Sequence, residues 1–448
     1  MRDLLNSLGY DVLSDYNAQR VNEWLAWYKG YVKEFHDYTV YNGRKSLSQK
    51  RASLRMAKKV CEDWANLLMN EKVAFTAGNE AQTNRIKEIF EDNKFRVRAN
   101  QLVELAFALG TGAFVEFKDG DSVNIDYVTA DKIFPLSAEN GQITECAFCS
   151  IKHIGGKKYY YLNIHVKNDG GNGYKIINKL FDANKKPCPL PDGVDEEIET
   201  GYDKPFFQII KPNITSNLDI DGIMGMSVFA NCLDVFRAID VVFDSYRNEF
   251  ILGKKRVVVS ASVTENMEDE NGVIRPIFDA NDLVFYAIPE SGDDKRVIQD
   301  INMELRTQAH DSAMRQNLNL LSEKCGFGPG HFDFEKSGGL KTATEIISDK
   351  SDLFQNLKKH ELVLNDAFTD LIRAVMFLDS GVCDFPIEID FDDSIIEDRK
   401  SEFAERAQLV TSGVMTKSEM RQWYLGETKE QADAAIAVMT EDYVPEEG

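Results

Sequence analysis

The chain has 448 residues, of which 43% are hydrophobic, 10% aromatic and 28% charged, values typical of a folded globular protein with about two to four domains or one elongated subunit. Its formal net charge of −22 argues against a protein that coats nucleic acid, because phosphate binding depends on lysine and arginine. No apolar run reaches the ~18 residues that a membrane-spanning helix needs, and the amino terminus shows no secretory signal.

The first part of the chain is predicted to be helical. Aromatic residues at helical spacing predict a helix over 21–38, and apolar positions predict two more over 53–73 and 98–110. Two glycines then lead into a predicted strand over 113–117.

The pattern changes to short β-prone runs between residues 123 and 210, divided by glycine-containing turns. This predicts an antiparallel β region. Cys146 and Cys149 have the spacing of metal ligands, but no second pair follows, and strand residues three apart point to opposite faces. His153 and His165 could meet across neighbouring strands. The sequence nevertheless predicts no metal here.

A helix with one apolar stripe from Phe229 to Phe250 follows and stops at Gly253. The basic cluster Lys254, Lys255 and Arg256 comes next. It either complements the dipole at the end of the helix or contacts phosphate. Short β-prone runs over 256–262, 272–278 and 283–288 then precede a returning helix over 303–324, so two helices bracket a small β module.

A glycine-rich break over 326–339 separates this helix from the longest predicted one. Thr342 and Glu345 have capping-box spacing, and apolar residues recur at helical spacing as far as Leu378. At 1.5 Å per residue such a helix is roughly 50 Å long. It is predicted to act as a strut.

A strand is predicted over 387–391, with Glu388, Asp390 and Asp392 on one face. Three carboxylates in a row can hold a divalent cation, which leaves open a metal-dependent nuclease, but an exposed strand face in an acidic protein also explains them. Helices are predicted over 398–412, 417–425 and 429–439, the last two with capping boxes.

No motif for chemistry accompanies these elements. The glycines of 326–330 lack the spacing of a phosphate-binding loop, and Leu340 interrupts the Gly-Lys-Thr order that such a loop requires. The six histidines and seven cysteines are scattered, and the cysteine pattern fits reduced thiols. No catalytic residue, metal ligand or cofactor is predicted, and the chain is predicted not to be an enzyme.

Three segments carry a resemblance to a known family: RASLRMAKKVCEDWANLLMNE at 51–71, the stretch from GMSVFAN to DSYRNEF at 225–250, and KTATEI at 341–346. In this order and spacing they resemble the portal proteins of tailed bacteriophages, specifically the siphovirus-type portal family. The resemblance covers nearly the whole chain.

The resemblance implies an α+β fold: an elongated portal-protein subunit with long stem and spine helices, a β-containing wing, a small α/β clip and a helical C-terminal crown. The implied parts are the wing at 1–224, stem helix 1 at 225–253, the clip at 254–302, stem helix 2 at 303–325, the tunnel loop at 326–341, the spine helix at 342–379, a wing strand at 384–393 and the crown at 394–448.

The resemblance also implies a ring, ordinarily of twelve subunits, at the unique capsid vertex, through which the genome is packaged and ejected. The implied partners are double-stranded DNA, the terminase packaging motor, a head-tail connector or adaptor, and the major capsid and scaffolding proteins, with no membrane. The implied location is the virion, and the host cytoplasm during assembly. A scaffold or adaptor without a channel is the remaining alternative.

Two groups of residues are predicted to contact DNA under this resemblance. The tunnel-loop group is His331, Lys336, Ser337 and Lys341. The second group is Lys254, Lys255 and Arg256. Their role would be contact and sealing, without chemistry.

Overall fold

The computed structural model of the chain describes residues 1–13, 16–41, 43–70, 73–168, 170, 173–253, 256–260, 265–268, 272, 274–277, 285–288, 298–301, 304–333, 343–391 and 399–441. Its elements mix helices and strands along the chain, and the fold class is α+β, as predicted. None of the described helices is both long and apolar enough to span a bilayer.

The first part of the chain holds six helices and three strands among the described residues: α1 (Arg2–Ser7), α2 (Tyr16–Tyr28), α3 (Lys33–His36), β1 (Asp37–Tyr41), β2 (Ser46–Lys50), α4 (Met56–Leu68), β3 (Ala74–Ala77), α5 (Glu80–Asp92) and α6 (Phe95–Leu109). The prediction of one continuous helix over 21–38 is wrong, because the stretch contains two helices, α2 and α3, and β1 begins at Asp37. Gly30 has φ +74°, a left-handed conformation that ends α2, and β1 pairs with β2 as a hairpin.

The predicted antiparallel β region is confirmed. Its strands are β4 (Gly112–Asp119), β5 (Ser122–Thr129), β6 (Ile133–Glu139), β7 (Gln142–Ile154), β8 (Lys157–Lys167), β9 (Tyr174–Asp182), β10 (Pro187–Cys188), β11 (Glu197–Glu199) and β12 (Phe207–Ile210). One sheet has the order β10-β9-β8-β7-β6, with β11 also paired to β9, and a second has the order β12-β4-β5. Cys146 and Cys149 on β7 are buried in two different hydrophobic clusters, so they do not form a metal pair.

Two helices bracket a small β module, as predicted. They are α7 (Leu233–Leu252) and α8 (Thr307–Lys324), which pack against each other. The strands between them are β13 (Arg256–Ser260), β14 (Glu265–Glu268), β15 (Ile274–Ile277), β16 (Phe285–Ile288) and β17 (Ile298–Ile301). β13 pairs with β16 in parallel and with β17 in antiparallel orientation, and β14 pairs with β15.

The helix predicted from residue 225 begins later than expected. A Cβ built on Gly225 would lie 2.0 Å from the carbonyl oxygen of Gly110, so two backbones meet where only glycine fits. Ser227 Oγ donates to the carbonyl oxygen of Phe107 at 3.3 Å. These tertiary contacts hold 225–229 outside the helix.

The longest helix is α9 (Ala343–Ser380), with 38 residues. β18 (Ile387–Asp390) then returns to pair with β3, which confirms the predicted strand. α10 (Arg399–Thr411), α11 (Lys417–Leu425) and α12 (Lys429–Glu441) follow. Both predicted capping boxes are present, at Thr416 and Thr428, whereas the one predicted at Thr342 lies outside the described residues.

The main core forms where the second half of α9 meets α4, α6 and the β12-β4-β5 sheet. Phe368 of α9 is fully buried, and its ring lies 5.8 Å from that of Phe95 and 5.9 Å from that of Phe114. Trp64 of α4 is also fully buried. α4 is therefore fixed in the core, and its exposed end can position other segments.

Candidate functional site

The predicted DNA-contacting loop begins at the end of α8, and its first residues fold against α4 and α9. Gly326 has φ +84°, and a Cβ there would lie 3.2 Å from the side-chain nitrogen of Asn356. Gly328 and Gly330 also have positive φ. The glycines thus serve first to turn the chain sharply next to α9.

Trp64 and Asn356 hold this turn from two sides. Trp64 Nε1 donates to the carbonyl oxygen of Cys325 at 3.0 Å, and Asn356 Nδ2 donates to that of Gly326 at 3.0 Å. The Trp64 ring also stacks on Phe327 with centroids 4.7 Å apart. The backbone of the turn is therefore satisfied by side chains of two helices that are themselves packed in the core.

His331 is held by Asp63 across the same turn. Its Nε2 lies 2.9 Å from Asp63 Oδ2 of α4, and its ring stacks on Phe327 at 4.2 Å. Partial burial of Asp63 opposes its ionisation, but hydrogen bonds from His331 and Lys59 outweigh this and hold the pKa of the carboxyl below its usual range. The histidine is thus partly exposed but already bonded within its own chain.

Phe332 is buried in the same turn. It is 6% exposed, and its N–H donates to Ser322 Oγ of α8 at 3.2 Å. The sequence suggests that 332–337 adds little apolar surface to the fold, and for Phe332 this is wrong. A groove of about 640 Å³ lies beside it, lined by Leu54, Met56, Lys59, Asp63, Asn66, Leu67, His331, Phe332 and Asp333.

The structure describes two of the seven predicted DNA-contacting residues. His331 lies in the turn, and Arg256 opens β13, where it is the register partner of Ile301 in β17. Lys254, Lys255, Lys336, Ser337 and Lys341 lie outside the described residues.

A pair of cysteines ties the two helices together next to this turn. Cys232, just before α7, and Cys325, just after α8, are buried, and their Sγ atoms are 3.5 Å apart. Burial raises the pKa of the Cys325 thiol. The sequence shows these cysteines only as scattered residues, because positions 93 apart give no local signal.

A second clamp closes the opposite ends of α7 and α8, beside the β module. Arg306 donates from Nε and Nη2 to the two carboxylate oxygens of Glu249, at 3.0 and 2.8 Å, and His310 Nε2 lies 3.6 Å from the same carboxylate. The Arg306 hydrogen bonds lower the pKa of Glu249 to about 2. The helix pair is therefore fastened at both ends.

Asp240 and Asp244, one turn apart on α7, hold the chain that leads into α4. Asp240 accepts the N–H of Leu54 at 2.7 Å, and Asp244 accepts that of Ala52 at 3.0 Å. Asp240 also lies 3.2 Å from His36 Nε2. Both carboxylates are nearly fully buried and are paired with donors, as buried charges must be.

Residues considered for chemistry are not assembled into a reactive site in the described part of the chain, where no group of three or more His, Cys, Asp or Glu could hold a metal. Glu388 and Asp390 are exposed on β18, and Asp392 lies outside the described residues. His165 is buried opposite Cys146, while His153 lies opposite Lys158 at the far end of the same strand pair.

Three comparisons with known proteins bear on identity. A family model described as "Phage portal protein, SPP1 Gp6-like" matches residues 13–443. A chain from the solved structure "Virion of native gene transfer agent (GTA) particle" is similar, with a TM-score of 0.42 and 10% identity over 83% of this chain and 89% of that one. No curated protein matches the chain.

Proposed function

The chain belongs to the SPP1 Gp6-like family of phage portal proteins, and from this we propose that it forms a ring-shaped channel at the unique capsid vertex for genome packaging, DNA retention and ejection. The observation that carries the proposal is the family match over 13–443. The protein has a structural role. We propose that the ring contains twelve copies and lies in the virion.

The order of elements supports a division into portal parts. We propose that 1–224 with the strand at 384–393 forms the wing, that the helices within 225–253 and 303–325 form the stem, and that 254–302 forms the clip. The spine is then 342–379 and the crown 394–448. The β module between α7 and α8 and the 38-residue helix α9 favour this division.

The loop that lines the channel is proposed to begin only after Asp333. The segment from Cys325 to Phe332 is held by Trp64, Asp63 and Asn356, so it forms the root of the loop. Lys336, Ser337 and Lys341 are then the proposed DNA contacts, with His331 at the root and Lys254, Lys255 and Arg256 as a second group.

The net charge of −22 supports a channel that DNA passes through rather than a protein that coats DNA. A wall that shares the negative sign of the phosphates limits adhesion to the moving polymer, and this effect weakens as salt screens it. We propose that the terminase motor and the head-tail connector dock on the clip, and that capsid and scaffolding proteins contact the outer surface of the ring.

Size and shape test this function. Purified protein should elute as a particle of about twelve times the 50.8 kDa subunit mass, and negative-stain images should show a central hole. A monomer, or an assembly without a hole, contradicts the proposal. Cleavage of DNA by the purified protein with added magnesium would instead support the nuclease alternative.

A further inference from the structure

Cys232 and Cys325 meet at the point where one long segment of the chain begins and ends. Cys232 lies just before α7 and Cys325 just after α8, so α7, the β module and α8 all lie between them. The two positions are 93 apart, both thiols are free, and their Sγ atoms are 3.5 Å apart. A covalent bond at this contact therefore closes the whole segment into a loop.

The backbone next to both cysteines is held in place. The carbonyl oxygen of Cys325 accepts a hydrogen bond from Trp64 Nε1 at 3.0 Å. The ammonium of Lys324 donates to the carbonyl oxygen of Asn231 at 3.1 Å, so the residues that precede the two cysteines are also bonded to each other. Two adjacent contacts thus keep these parts of the chain side by side, with the thiols facing.

The movement needed for bond formation is small. A disulfide has an S–S length of about 2.05 Å, so the two sulfur atoms must approach by roughly 1.5 Å from their present separation. Rotation about a Cα–Cβ bond moves a cysteine sulfur over such a distance without moving the backbone. No group of three or more His, Cys, Asp or Glu among the described residues could hold a metal, so the thiols are not metal ligands there.

The two thiols differ in acidity. A hydrogen bond from Cys325 and the nearby ammonium of Lys324 lower the pKa of Cys232 in spite of its burial, whereas burial raises the pKa of Cys325. The thiolate is the reacting form of a cysteine, so Cys232 reacts first. Because Cys232 is 0% and Cys325 3% exposed, a small oxidant reaches them more readily than a bulky one.

We propose that Cys232 and Cys325 form a disulfide within one chain when the protein meets hydrogen peroxide. The Cys232 sulfur attacks one peroxide oxygen, the O–O bond breaks, and water leaves as the sulfenic acid forms. The Cys325 sulfur then attacks the Cys232 sulfur, the S–O bond breaks, and a second water leaves. The thiols give up two electrons and two protons in all, and one hydrogen peroxide is reduced to two waters.

The bond would stabilise the segment that it closes. A disulfide restricts the unfolded chain, and the restriction is larger for a longer loop. It would also join Cys325, the first residue of the root of the loop, to the stretch before α7. Thiols stay reduced in a reducing cytoplasm and form disulfides in an oxidising extracellular medium, and a virion passes from one to the other. That setting rests on the proposed function, whereas the bond itself needs only one chain.

Thiol counting and peptide mapping test the site on the whole chain. After treatment with equimolar hydrogen peroxide, the denatured protein should show five free thiols, against seven before treatment. Mass spectrometry of a non-reducing digest should find a peptide that joins Cys232 to Cys325, and dithiothreitol should separate its two parts. The chain should still run as a monomer in a non-reducing denaturing gel. Its thermal unfolding midpoint should rise by a few degrees on oxidation and return on reduction.

Two variants separate this pair from the other cysteines. Cys325→Ala should give no disulfide-linked peptide that contains Cys232. Cys61→Ala is the matched control, because Cys61 is fully buried like Cys232 and adds to the effect of burial on the pKa of Cys325; this variant should still form the bond.

The wild-type digest decides the outcome even where a variant fails to fold. Peroxide-treated wild type in which Cys232 and Cys325 are recovered as free thiols overturns the proposal, and so does a bond from either of them to another cysteine or to a second chain. A chain that forms the bond but stays monomeric without denaturant overturns the proposed function alone. A ring with a central hole whose cysteines stay unlinked overturns this proposal alone.

Discussion

The boundary between the fixed root of the loop and the rest of it gives the sharpest test of the site. Phe332→Ala removes a ring that is 6% exposed and packs against Phe327 at 5.4 Å and His331 at 4.7 Å. Substitutions of this kind in a core cost about 3–5 kcal/mol, a large fraction of the roughly 5–15 kcal/mol that stabilises a typical domain.

The matched variant replaces 334–339 with a Gly-Ser sequence of equal length. It leaves Phe332 and the described hydrogen bonds of Trp64, Asn356 and His331 in place, so we expect its unfolding midpoint to stay at the wild-type value. Guanidinium denaturation at one fixed subunit concentration compares the three proteins, because assembly otherwise shifts the apparent stability. In assembled particles the Gly-Ser variant should lose packaging or retention of DNA.

Two results refute this reasoning. An unfolding midpoint for Phe332→Ala equal to that of the wild type, with an equal slope, shows that the ring is not part of the packed root. A Gly-Ser variant that fills and holds its genomes normally removes 334–339 from the proposed DNA contact. If it is as unstable as Phe332→Ala, the boundary is in the wrong place.

Further predictions concern single side chains and the hydrolysis of ATP. Glu116 is fully buried, and burial raises its pKa. The wild type therefore loses stability as the pH rises above the unfolded pKa of about 4.3. The free energy of unfolding of Glu116→Gln relative to the wild type should increase from pH 5 to pH 8, as measured by denaturation. Hydrogen bonds from Arg306 lower the pKa of Glu249 to about 2. The clamp therefore stabilises the folded protein above the unfolded pKa of the carboxyl, and this stabilisation is lost as the pH falls towards 2. Glu249→Gln should flatten the acid-unfolding curve in that window. Trp64→Phe removes the donor to the carbonyl oxygen of Cys325 and should lower the free energy of unfolding, measured by denaturation, by about 1–3 kcal/mol. Purified protein without a packaging motor should release no phosphate from ATP, with or without DNA, in a phosphate-release assay.

Elements with a long, one-sided apolar pattern could be predicted from the sequence. The helix at 343–380 was expected almost to its last residue, because its stripe includes Phe368, Leu371, Ile372 and Val375, all fully buried. The β region and the capping boxes of the last helices were also predictable, because each is encoded by residues close together in the sequence.

Features that depend on distant residues were missed. The stripe through Phe229 predicts helix, but the contact of Gly225 with Gly110 takes that stretch out of α7. The predicted helix overlaps the first two residues of strand β1, and no local pattern predicts the rest of the strand, which is defined by its pairing with 46–50. The bond between His331 and Asp63 joins residues 268 apart, which a single sequence does not encode visibly.

The role of α4 also depends on contacts between distant residues. Neither the apolar spacing of this helix nor the family resemblance of 51–71 indicates it. The residues before α4 are held by Asp240 and Asp244 of α7, and its far half holds the root of the loop through Asp63 and Trp64. Since Trp64 is fully buried, the helix cannot shift without disturbing the core. A displacement of the α7-α8 pair is therefore expected to reach the loop through α4 as well as through the end of α8. We expect a change at the β module between α7 and α8 to be coupled to a change at the loop by these two routes within one subunit.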